Sequence, residues 1–248
     1  MSIKLVSQSG FDAWVDGLTA ARTVYAPQAK GDKFAFDRLD RAAALRLDYD
    51  VTILPPKKYF QPQREVLMRF NRKTVEFESV YDEEPFVLFG VHPYDMAAIS
   101  QMDKVFTMDH FDKHYMARRV AATIVVSSVQ TTSSSVFAGC MGHATAQGRT
   151  DHDVLLTKLP GGDYVVDPRS EKGDELCEAL AQAPEANAAA LAAREKVWKQ
   201  NKANLRQHEL KVTPESLPAL LERSRTHPVW EEKAELCYSC GSCNFVCP

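Results

Sequence analysis

The stretch CYSCGSCNFVCP, at positions 237–248, constrains this chain more than any other. It reads Cys237-x2-Cys240-x2-Cys243-x3-Cys247-Pro248. That is the thiolate spacing of a bacterial-type [4Fe–4S] site, in which cysteines at intervals of three each give a sulfur to a different iron. Gly241 frees the loop to take positive φ while backbone N–H groups turn toward the sulfurs. Pro248 stops regular structure. Cys237, Cys240, Cys243 and Cys247 are therefore the candidate cofactor-binding and metal-ligating residues. In two-cluster ferredoxins the fourth cysteine of such a run serves the other cluster, so Cys247 is the one expected to reach away from its neighbours.

Two other uses of these thiols compete. Structural zinc sites use CxxC or CxxC/HxxxH pairs separated by about a dozen residues or more, and four cysteines inside eleven residues fit that pattern poorly. A disulfide pair belongs to an oxidising compartment, of which the sequence gives no sign. The rival from another functional class is a non-redox partner-binding module with a Cys-rich zinc clip. Metal analysis separates the two, iron with acid-labile sulfide against zinc.

With 248 residues, 45% of them apolar and 25% charged, the chain can bury a core in one large domain or two small ones. A net charge of −3 supplies no basic field for nucleic acid. The start, MSIKLVSQSGFDAWVDGL, lacks the basic and apolar regions of a signal peptide, and no apolar run approaches a membrane span. A cytoplasmic location is expected. Cys140 and Cys177 lie far apart and read as reduced, buried or half-buried thiols.

Along the chain the pattern alternates between strand and helix. Residues 3–6 form a candidate strand, and Phe11, Trp14, Val15 and Leu18 recur at helical spacing. Residues 22–26 and 33–36 read as strands, and residues 49–54 (YDVTIL) as a weaker one ending at Pro55-Pro56. Residues 55–70 (PPKKYFQPQREVLMRF) are locally basic through Lys57, Lys58, Arg64 and Arg69. Pro62 suits the first turn of a helix carrying Val66, Leu67 and Phe70. On charge alone this is a solvated amphipathic face; the functional alternative is a docking surface for an acidic partner or an anionic cofactor.

Residues 74–80 alternate as a half-buried strand, with Val75, Phe77 and Ser79 on one face. FVLFGV at 86–91 and AATIVV at 121–126 read as strands buried on both faces. Between them HPYD leads into a helix with Asp95 as its expected N-cap. A buried strand ending at a helix N-terminus is a common site architecture, which makes His92 a candidate contact, although a loop histidine more often only hydrogen-bonds. Cys140 has His143 close by but no third member of a catalytic set. Pro160-Gly161-Gly162 joins a hairpin. Beyond it the chain turns helical: Leu191, Trp198 and Leu205 fall seven apart, Thr213 or Ser216 caps a helix ending near Arg223, and VWEEKAEL delivers the chain into Cys237.

The expected fold class is α+β: a mixed α/β domain over 1–170, a helical linker over 171–230, and the start of a bacterial ferredoxin-like cluster segment over 231–248. There is no G-x-G-x-x-G, no P-loop and no metalloprotease motif.

Four stretches together carry a family resemblance: PPKKYFQPQRE, FGVHPYDMAAISQMDKVF, DKHYMARR and HPVWEEKAELCYSCGSCNFVCP. The chain resembles the iron–sulfur β subunits of sulfhydrogenase-type [NiFe] hydrogenases, together with the A subunits of anaerobic sulfite reductases. The resemblance implies a cytoplasmic subunit relaying single electrons through [4Fe–4S] clusters, with a flavin- and NAD(P)-binding subunit and a catalytic subunit as partners. Residues 1–236 show no constellation for bond-making chemistry, so catalysis by this chain alone is not expected; the rival is an enzyme subunit with its own substrate site around His92 and Cys140, which turnover by the isolated subunit would favour. The family often has cysteine where Tyr94 stands and several more in the loop that here keeps only Cys140, so a cluster held there elsewhere is expected to be missing. The family also continues with further cysteines, so this chain is expected to be truncated after the first cluster motif.

Overall fold

The computed structural model describes residues 2–206 and 209–248. Its centre is a seven-stranded mixed sheet in the order β1-β9-β8-β7-β6-β2-β3. The strands are β1 (Lys4–Val6), β2 (Val24–Lys30), β3 (Lys33–Arg38), β6 (Phe86–Val91), β7 (Ala122–Ser127), β8 (Val154–Lys158) and β9 (Tyr164–Pro168). Strands β2, β6, β7 and β8 run parallel; β3 is antiparallel at one edge, and β9 is antiparallel at the other end, with β1 pairing antiparallel to it as the edge. The inner parallel strands β6 and β7 are the continuous apolar runs, because helices cover both of their faces.

One face receives α1 (Gln8–Ala21), whose Phe11, Trp14, Val15 and Leu18 pack on Val87, Phe89, Val125, Val154 and Leu156. Ser7 caps this helix by accepting the Gly10 N–H at 3.2 Å. The Trp14 indole donates to Leu176 O at 3.0 Å, tying α1 to α4 (Glu171–Leu176). The other face receives α2 (Pro93–Thr107), α3 (Lys113–Ala121) and α5 (Ala188–Asn204), with Met96, Ile99, Tyr115 and Trp198 set against Leu88, Val91, Ile124, Val126 and Leu155. Each fully buried side chain of this size stabilises the fold by roughly 1.5–3 kcal/mol before entropy is counted.

The mixed α/β reading therefore holds, and the buried strands, the 160–162 hairpin and the helices after residue 170 form where the pattern put them. The stretch expected as a linker is not only a connector in its first half: Leu176, Leu180 and Trp198 are core residues of the two faces.

Four local expectations fail. Residues 49–54 make no strand. Thr52 forms an isolated bridge to Phe34, and Tyr49 is drawn inward, its hydroxyl donating to Gly90 O at 2.9 Å. Residues 62–70 make no helix. Pro56–Tyr59 is a 3₁₀ turn, and Met68–Asn71 is β4 of a two-stranded ribbon with β5 (Glu76–Ser79). The apolar residues fit period 2 as well as 3.6, and the cross-strand pairs Phe70↔Phe77 and Arg69↔Glu78 decide between them. The β5 strand is exposed along its length instead of half-buried, and Val75 sits in the turn at φ 59°. Finally, Asp95 is not the cap of α2. His92 holds that position, Pro93 opens the helix, and Asp95 sits two residues further in, buried, accepting the His92 backbone N–H.

Candidate metal centre

The cysteines lie on a C-terminal arm built from α6 (Leu217–Arg223), α7 (Val229–Glu235) and α8 (Ser242–Val246), none of which buries a residue. Pro214 opens the 3₁₀ turn before α6 and Pro228 precedes α7, so short proline-started helices divide the arm. Cys237 follows α7 directly, its N–H bonded to Ala234 O at 3.0 Å. Ser239 at φ 54° and Gly241 at φ 74° then reverse the chain through the left-handed region, which Gly241 enters without a Cβ penalty. Gly241 starts α8, which carries Cys243, and Cys247 ends it with its N–H on Cys243 O at 3.1 Å.

All four thiols are free and exposed. The Ser239 N–H points at Cys237 Sγ over 3.4 Å. Cys240 Sγ lies 3.3 Å from the Ser242 hydroxyl. Hydrogen bonding from the Ser242 side chain, and then from its backbone, holds the Cys240 thiol below its ordinary pKa and favours the thiolate. Among the described residues no three of His, Cys, Asp or Glu converge on a metal-sized point.

The basic stretch meets this arm. Lys57, on the Pro56–Tyr59 turn, donates through Nζ to Asn244 O at 2.8 Å. Its neighbour Lys58 turns inward to Phe36 O at 2.6 Å, and Arg69 faces Glu78 across the ribbon, so the four basic residues do not form one field.

A second group of polar residues lies at the end of β6. His92 is buried between Tyr49 and Tyr94, its Nδ1 2.5 Å from the Tyr94 hydroxyl. That hydroxyl donates to Asp50 O at 3.0 Å, so Nδ1 carries the proton and donates to Tyr94. The histidine is stacked and hydrogen-bonded, as loop histidines usually are, and its Nε2 has no hydrogen-bond partner among the described residues.

No known family profile and no solved structure matches the chain. The protein Sulfhydrogenase 2 subunit beta of Pyrococcus furiosus is 30% identical over 254 aligned residues, which cover 99% of this chain and 71% of that protein. The chain belongs to the sulfhydrogenase beta-subunit family. The match is long enough to take in both the sheet and the arm of this beta-subunit chain.

Family membership gives two other places meaning. Tyr94, where the resemblance expects cysteine, packs with Val136 against Val129, Ala144 and Leu205. The structure thus gathers Tyr94 and the loop that leads to Cys140, which sequence spacing could not show. Cys140 is half-buried and its thiol donates to Phe137 O at 2.8 Å. Cys177 is buried, which pushes its thiol up to about 12, so it stays protonated. For an iron–sulfur cluster the arm of this beta-subunit chain offers a donor set of the right kind: four soft thiols, an N–H already aimed at one sulfur, and two left-handed residues between them. No helix among the described residues is long and apolar enough to cross a membrane.

Proposed function

We propose that this chain is an electron-transfer subunit of a hydrogenase complex, and that Cys237, Cys240, Cys243 and Cys247 supply thiolates to [4Fe–4S] clusters. Such a cluster changes oxidation state by one electron at a potential set by burial, nearby charge and N–H···S hydrogen bonds. The observation that carries the reading is the exposed Cys237–Cys247 run, turned by Ser239 and Gly241 so that backbone N–H groups can face sulfur. The name of the relative, a sulfhydrogenase subunit, supports the setting.

In this reading the chain makes and breaks no substrate bonds. Its sheet domain is a rigid support, and its arm presents thiolates at the surface, where a partner can approach closely. Ser242 keeps Cys240 ready to ligate by favouring its thiolate. Cluster binding would supply the energy that orders the thiolates of this arm, as it commonly does at sites not preformed in the free chain. The partners are a flavin- and NAD(P)-binding subunit on one side and a catalytic subunit on the other, and the fold of the cysteine segment is ferredoxin-like.

Anaerobic reconstitution with iron and sulfide tests this. A brown protein containing iron and acid-labile sulfide, bleached by dithionite, is the expected result. A colourless protein holding stoichiometric zinc overturns it.

A further inference from the structure

We infer that Lys57 is a positioning residue for the cysteine arm: it holds α8 against the sheet domain and sets a positive charge beside the cluster thiolates. The inference rests on the electron-transfer reading above, and it concerns a residue outside the cysteine run.

The first observation is a carbonyl that needs a partner. Asn244 stands between Cys243 and Cys247, inside α8. A helical carbonyl is bonded by the N–H four residues on, and four residues after Asn244 comes Pro248, which has none. Lys57 fills the vacancy from a distant part of the chain, Nζ to Asn244 O at 2.8 Å. The bond reaches the backbone of the residue adjoining Cys243.

The second observation is rigidity at the other end. Lys57 leaves a 3₁₀ turn whose carbonyl accepts the N–H groups of Phe60 and Gln61, each at 2.9 Å. Pro55, Pro56 and Phe60 around it are buried, and Tyr59 stacks on Tyr25 with ring centroids 4.2 Å apart. The ammonium is therefore carried by a fixed base, not by a mobile loop.

The third observation is charge. Residues 237–248 contain no Lys, Arg, Asp or Glu. Any fixed charge beside the thiolates must come from outside the run, and the fold brings this one. A cation near the site stabilises the more negative, reduced state, and so raises the reduction potential.

The test compares Lys57→Gln, Lys57→Arg and the parent chain after anaerobic reconstitution, by redox titration followed by electron paramagnetic resonance. At a fixed potential near the midpoint, Lys57→Gln should shift the oxidised-to-reduced ratio roughly threefold or more toward oxidised, about 30 mV for a one-electron couple. Lys57→Arg should restore the parent value. An unchanged midpoint in Lys57→Gln at equal iron content overturns the charge role. In the metal-free chains, the amides of residues 242–247 should exchange hydrogen faster in Lys57→Gln than in the parent, and equal exchange overturns the clamp. A parent chain that takes up no iron defeats the electron-transfer reading itself, while the exchange comparison still reports on the clamp.

Discussion

The imidazole of His92 lies flat on the ring of Tyr49, with centroids 3.9 Å apart and planes 6° apart. Both side chains are buried at the junction of β6 and α2. Burial lowers the His92 pKa to about 3 and raises that of Asp95, at the start of the same helix, to about 7.

These two groups pull stability in opposite directions with pH. As pH falls from 6.5 toward 3, the unfolded chain binds the His92 proton first, and stability is lost. As pH rises from 3.8 through about 7, the unfolded chain releases the Asp95 proton first, and stability is again lost. The two slopes offset each other between about pH 4 and 6.5. Asp95→Asn should therefore be more stable than the parent at pH 8, by an amount on the order of 4 kcal/mol at most. It should also lose stability on acidification below pH 6.5 more steeply than the parent. Denaturant titrations at pH 5, 6.5 and 8 check both signs, and identical pH profiles would refute the assignment.

Gly90 lets the end of β6 turn toward this junction. It has φ 82° at a register shift in the β6–β7 pairing, and a Cβ there would lie 2.7 Å from Leu47 Cδ2. Gly90→Ala should cost about 2–4 kcal/mol, from backbone strain plus overpacking. Chemical denaturation of the metal-free chain measures it. A loss below half a kcal/mol would mean the bulge relaxes freely.

The sheet domain should fold without metal, because its core involves none of the four arm cysteines. Its limit should lie near residue 206, not 170, because Trp198 and Leu176 complete its two faces. A piece spanning 2–206 should unfold cooperatively on heating, and a piece ending at 170 should not. Equal behaviour of the two would show that α5 adds nothing to the core.

Cys247 is expected to serve a different cluster from Cys240. In the assembled complex, Cys247→Ser and Cys240→Ser should each weaken a different electron paramagnetic resonance signal. Loss of one and the same signal would place all four thiols on a single cubane.

Partner contacts should fall on the arm and on the β4–β5 ribbon. The ribbon turns Met68, Phe70 and Phe77 to one side, and Phe77 is 69% exposed. Trp230 and Leu236 are exposed on the arm. Surface of this kind is usually covered by another protein. Hydrogen exchange in the complex should slow at residues 66–79 and 229–246. Unchanged exchange at both would remove the interface.

Much of this molecule was legible in local pattern. The continuous apolar runs of β6 and β7 could only be strands covered on both faces, because a backbone so flanked must be buried. The helical stripe of α1 and the cysteine spacing were equally plain, since period and spacing are properties of neighbours in the chain. Residues 62–70 were misread because Val66, Leu67 and Phe70 fit a helical stripe while Val66, Met68 and Phe70 fit a strand face; the pairing of Phe70 with Phe77, seven residues on, chose between them. What only the tertiary structure decided is what distant residues do to each other. Tyr49 left its expected strand for the ring of His92 and the carbonyl of Gly90. Tyr94 met the loop that leads to Cys140. Lys57 found the carbonyl that Pro248 leaves open, 187 residues away in sequence. A sequence shows that a carbonyl before a proline will lack its helical donor, but the donor that replaces it is chosen by how the sheet and the arm come to lie together.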